Sequence, residues 1–124
     1  MPTRIKITVG ELTLTGELND SPTAAQVLEA LPLEASGSTW GDEIYFDIPV
    51  NADLGPDAQE AVELGDLAYW PPGTAFCIFY GKTPVSTSTD IRPASPVNVI
   101  GKLTDDCEVL KGTPSGVTVR VESI

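Results

Sequence analysis

Carboxylates, large rings and two isolated cations are the side chains of this 124-residue chain that could do chemistry. Asp42, Glu43 and Asp47 sit close together and could act as an acid pair or grip a hard cation; Asp105, Asp106 and Glu108 repeat the idea further on. Neither group has the spacing of an EF-hand or another dedicated cage, so no metal is expected. Asp105 has a plain task as the N-cap of a short helix, with Asp106 complementing the helix dipole. The rings and prolines worth weighing are Trp40, Tyr45, Trp70, Pro71, Pro72 and Phe76. Trp40 and Phe76 read as core, where large rings usually lie. Trp70 is open to two readings, a cap on the core or the wall of a shallow groove shared with Tyr45 and the Pro71-Pro72-Gly73 corner. Two prolines of fixed φ would preorganise such a wall, and Gly73 would let the chain turn sharply back. Lys82 and Arg92, on a polar loop from Gly81 to Pro96, carry two of the few positive charges. That loop reads as a movable flap, and an anionic or carboxylate-bearing ligand would find its attraction there.

Histidine is absent. Its absence removes Ser–His–Asp and Cys–His catalysis, histidine proton shuttles and the commonest transition-metal ligand. The two cysteines, Cys77 and Cys107, are too few for a zinc site; Cys77 lies inside the apolar run Ala75–Tyr80 and reads as a small buried hydrophobe rather than half of a disulfide. Charge is lopsided, with seven basic against eighteen acidic residues and none of the basic ones between Lys6 and Lys82. A net charge of −11 repels phosphate backbones and anionic lipid, so neither nucleic acid nor membrane is an expected partner. The opening MPTRIKITVG has no apolar signal core, and a cytoplasmic location is expected. Gly81-Lys82-Thr83 lacks the upstream glycine and the following helix of a phosphate loop.

The elements that must position these residues follow from periodicity. Ile5, Ile7 and Val9 alternate with polar neighbours, as do Leu12 and Leu14, and Gly10 between them makes a β-hairpin. Ser21 is a good N-cap and Pro22 fits the first helical position; Ala24, Val27, Leu28 and Leu31 form one stripe, predicting a helix over Pro22–Leu31 that Pro32 stops. SGSTW and EIYFDI read as strands around Gly41-Asp42, DAQEAVEL as a helical turn, and DLAYW and TAFCIFY as strands flanking the proline corner. VNVIGKL is a strand with Val97, Val99 and Leu103 inward, DDCEVL a short second helix, and GVTVRVESI a closing strand. Eight short strands and two short helices without βαβ spacing argue for a single mainly β domain, a closed barrel or sandwich.

"TWGDEIYF" (Thr39–Phe46), "GDLAYWPPGTAFCIFYGKTP" (Gly65–Pro84) and "RPASPVNVIGK" (Arg92–Lys102) resemble the small prokaryotic cyclophilin-like family over nearly the whole chain. The resemblance implies a closed eight-stranded antiparallel barrel with a helix packed over each open end. It also places Ala75 where a cyclophilin has its substrate-contacting glutamine, and Val97 where it has the active-site histidine. No arginine occurs from Ile7 to Gly81, the span in which the catalytic arginine would fall. Prolyl isomerases work by positioning and by an arginine that stabilises the twisting amide, so efficient isomerisation is not expected. The expected function is binding of a peptide or small molecule in a groove at the barrel surface, without a cofactor. The alternatives are a weak prolyl isomerase, with Arg92 folding over the site, and a small carboxylate-based hydrolase or lyase using Glu43 and Asp47.

Overall fold

Alternating apolar residues become the strands of a barrel. In the computed structural model, which describes residues 3–124, they form β1 (Thr3–Val9), β2 (Leu12–Leu18), β3 (Leu33–Thr39), β4 (Glu43–Asp47), β5 (Asp66–Trp70), β6 (Ala75–Phe79), β7 (Asn98–Leu103) and β8 (Val117–Ser123). The strands close in the order β1-β2-β7-β5-β6-β4-β3-β8, every neighbouring pair antiparallel. Closure removes the exposed edges that would otherwise invite aggregation. Ile5, Ile7, Leu14, Leu18, Ile44, Phe46, Leu67, Tyr69, Phe76, Ile78, Val119 and Val121 fill the interior, and Phe46 stacks on Phe76 with ring centroids 5.1 Å apart. Tyr69 keeps its hydroxyl satisfied there by donating to the Val50 carbonyl at 2.6 Å.

The helix, α1 (Pro22–Ala30), starts where the sequence says. Ser21 Oγ accepts from the Ala24 amide at 3.2 Å, and Pro22 occupies the first turn. Ala24 and Val27 enter the barrel core and Leu31 packs against it, but Leu28 is 36 % exposed. Nine helical residues turn only part of the predicted stripe inward, and Leu28 sits at its solvent edge. The second helix is a single 3-10 turn, Cys107–Leu110, whose Cys107 and Leu110 also join the core. Its N-cap is Asp106, which accepts from the Glu108 amide; Asp105 instead accepts from the Thr15 amide at 2.7 Å and fastens β2. Both cysteines are free and buried.

β7 corrects the expected inward set. Leu67 pairs with Gly101 and Ala68 with Val99, leaving Ile100 as an extra residue. The bulge flips the facing of the strand, so Ile100 and Leu103 point into the core while Val97 and Val99 face outward. Gly101 is required by space: a Cβ there would come within 2.0 Å of the Glu17 carbonyl oxygen across the β2–β7 ladder. The segment read as a helical turn, DAQEAVEL, is irregular instead, with isolated β-bridges at Gln59 and Val62 separated by a bend. Gln59 exchanges both backbone hydrogen bonds with Val97, and the Val62 amide donates to Ile91, so its polar groups are satisfied by the next loop.

Among the described residues no helix is long and apolar enough to cross a membrane.

Candidate functional site

Strands of this barrel bury both faces. Behind the interior a second apolar layer, Val62, Ala68, Ala75, Cys77, Phe79 and Val97, lines the outside of β4, β5 and β6, with Tyr45, Trp70, Ile91 and Val99 packed against it. The segments around Gln59–Val62 and Ile91–Val97 cover that layer and are held down by their two bridges. Period-2 geometry explains the sorting: Ile44 and Phe46 point in, so Glu43 and Tyr45 must point out.

Beneath the cover is a cavity of about 300 Å³ lined by Trp40, Glu43, Tyr45, Trp70, Cys77, Pro93, Ala94 and Val97. Its walls are aromatic and aliphatic, and its one ionisable acid is Glu43, only 6 % exposed. Desolvation raises the Glu43 carboxyl to about 7, and the neighbouring Cys77 thiol offsets only part of that rise. The thiol itself is pushed well up by burial and by the neighbouring carboxylate, so it stays protonated and inert. A carboxyl poised near neutrality in an apolar recess can donate or accept a hydrogen bond, take up a proton, or pair with a cation.

The proline corner supports this cavity without lining it. Pro71–Gly73 form one 3-10 turn, and the left-handed residue is Thr74, at φ 44°, rather than Gly73. Gly73 is needed because a Cβ there would lie 2.8–2.9 Å from the six-membered ring of Trp70. Thr74 is anchored by its hydroxyl to the Asp47 carboxylate and by its carbonyl, which accepts from the Ile48 amide at 2.9 Å. The indole is half-buried and donates from Nε1 to Ser95 Oγ at 2.6 Å, tying the covering loop to the strand. Trp40, read as core, is half-buried on the cavity wall; Phe76 is fully buried inside the barrel.

Of the residues picked from sequence, Tyr45 and Trp70 meet at the cavity with Glu43, while Lys82 and Arg92 do not line it. Lys82 Nζ donates to the Ser88 carbonyl at 3.4 Å, and Arg92 pairs with Asp90 at 3.2 Å. Their loop folds around Ser86 Oγ, which accepts from the Thr83 and Arg92 amides, and around Thr83, whose hydroxyl donates to the Arg92 carbonyl. Asp47 is exposed and engaged with Thr74, so Glu43 works without it. Pro93, Ala94 and Cys77 were missed as lining residues; only Val97's resemblance to an active-site position pointed there.

The comparisons agree with this architecture. A hypothetical protein of Archaeoglobus fulgidus, solved in solution, is 40 % identical, with a TM-score of 0.82 over 99 % of this chain and 95 % of its own. McbB, solved in complex with tryptophan, is 17 % identical and shares the fold, with a TM-score of 0.70 over 96 % of this chain but 44 % of its own. No significant match was found among functionally curated proteins. The family described as Cyclophilin-like matches residues 3–122, nearly every strand of the barrel, and the chain belongs to it.

Proposed function

We propose that this domain binds a small, largely apolar molecule in the cavity between the outer face of β4–β6 and the Pro93–Val97 segment. The carrying observation is the cavity itself: a preformed recess with aromatic walls and a single convergent acid. About 300 Å³ is the lower end of the range for ligand pockets and suits one ring system better than an extended peptide. Val97, the position resembling a cyclophilin's histidine, lines it, and Ala75 lies in the same layer. On that resemblance the cavity lies near the position of a cyclophilin groove, and Val97 and Ala75 bring none of the groove's polar groups to it. McbB's tryptophan is a molecule of the right size, which adds support for an aromatic occupant.

A fragment library screened by thermal shift and by amide chemical shifts tests this. Hits should stabilise the wild type and move the resonances of Tyr45, Trp70 and Val97. They should lose their effect in Ala94→Trp, which fills the mouth from an exposed position. Hits that map elsewhere, for example to the recess at the α1 N-terminus, or no hits at all, would overturn the assignment.

Glu43 favours one second reading, acid–base catalysis by a single carboxyl, because a group titrating near 7 is matched to proton transfer at neutral pH. A bound hit that turns over with the wild type and is bound but unchanged by Glu43→Gln would establish it.

A further inference from the structure

Both tryptophans of the chain and one of its three tyrosines line the cavity, whereas Phe46 and Phe76 are buried inside the barrel and Phe79 lies in the outer layer without lining it. Indole is the ring that attracts cations most strongly. The same cavity holds one carboxyl, that of Glu43, and none of the seven basic side chains. The groups around that carboxyl are the Cys77 thiol on β6, Tyr45 on β4 and the nearby Tyr80, with Asp42 next in the chain paired to Lys111 at 3.7 Å outside the cavity lining, while Pro93, Ala94 and Val97 of the covering segment bring no charge. Nothing in the protein neutralises Glu43 from within the site.

We propose that the ligand is a small organic cation, an ammonium group carried on a flat apolar body, held between the Glu43 carboxylate and the rings of Trp40, Tyr45 and Trp70. This rests on the cavity being the ligand site and names its chemical class. An anion would find no cation in the cavity, with Lys82 and Arg92 already engaged outside it, and would hold Glu43 in its protonated form. A neutral ligand would leave the electron-rich walls unused. A cation satisfies both, and a net charge of −11 draws it in. With its carboxyl raised to about 7, Glu43 is largely protonated below neutrality while the site is empty; the arriving ammonium stabilises the carboxylate, so in that range its proton leaves to solvent as the ion pair forms.

Benzylamine, benzyl alcohol and benzoate have nearly the same shape and differ in charge. Each is titrated calorimetrically into the whole domain, wild type and Glu43→Gln, at about pH 6 and about pH 8 in two buffers of different ionisation enthalpy. Benzylamine is expected to bind roughly 10-fold or more tightly than benzyl alcohol, and benzoate weakest of all. Its affinity should rise by about 10-fold between those pH values, with nearly one proton released to buffer at about pH 6 and almost none at about pH 8, because the ligand stays charged while Glu43 ionises. Glu43→Gln should lose the preference for the amine over the alcohol together with its pH dependence. The pH and buffer dependence need only the wild type, so the test survives a poorly folded variant. Benzyl alcohol or benzoate binding as tightly as benzylamine would overturn the cation assignment and leave the cavity reading intact. Absence of benzylamine binding would overturn it too, and the fragment screen then decides separately whether the cavity binds anything.

Discussion

The Glu43 carboxyl on β4 and the Cys77 thiol on β6 are diagonal neighbours across a ladder in which Tyr45 faces Cys77 and Glu43 faces Phe79, while the thiol itself is directed at the Ala75 carbonyl, 3.9 Å away. The thiol is a weak donor, so burial wins and the acid titrates near 7 instead of 4.5. Because the folded-state value is the higher one, the proton is held more tightly in the native state. The stability linked to this group is therefore fully present below about pH 4.5 and is lost as pH rises through about 7. Glu43→Gln removes that slope. Denaturant melts across this range should show the wild type losing roughly 2–3 kcal/mol relative to the variant by about pH 8. Parallel pH profiles for the two proteins would show that Glu43 ionises normally.

Trp70→Ala should destabilise by about 1–3 kcal/mol, below the ~3–5 kcal/mol of a fully buried large ring, since the indole is half-buried and also loses its bond to Ser95. Hydrogen exchange should quicken at Ser95 and Val97 before it changes in β1 or β8. Uniform quickening across the barrel would mean that the indole supports the core directly.

Gly73→Ala pushes a methyl against the Trp70 ring, and the ring is the part able to move. A loss of about 1–3 kcal/mol with a shifted tryptophan emission is expected. Unchanged emission and stability would show that the turn relaxes without disturbing the wall.

Gly101→Ala meets backbone rather than side chain, the Glu17 carbonyl, which is fixed in the β2–β7 ladder. Loss of more than about 3 kcal/mol, or failure to fold, is expected. Gly55→Ala is the control, with only the Asn98 Oδ1 atom nearby at 3.7 Å. Similar effects from the two would remove the steric argument.

A protease-coupled assay on a Xaa-Pro peptide should show no acceleration approaching that of a true cyclophilin. Val97 offers no donor to the cavity, and Arg92 is turned to Asp90 outside it. Strong acceleration that disappears in Arg92→Ala would restore the isomerase reading.

The barrel was legible because an alternating strand declares which side is buried: Ile5, Ile7 and Val9 say so unaided. The cavity was not. Glu43 and Tyr45 look like the wet side of β4, and only the packing of Gln59–Val62 and Ile91–Val97 turns that side into an interior. DAQEAVEL misled for the same reason, since its partners lie some thirty residues on and leave no local trace. β7 misled through one extra residue, Ile100, which no pattern of hydrophobicity marks. Trp70 and Tyr45 could be picked out beside the proline corner, but the acid between them acquires its character only from burial.

The outer layer shares strands with the barrel and almost no side chains with its core. Successive residues of β4 therefore belong to separate packings: Ile44 and Phe46 hold the closed cylinder, while Glu43 and Tyr45 face the pocket beneath the covering segments. Substitutions at the outward positions can thus alter the size and polarity of that pocket while the interior of the cylinder keeps its packing.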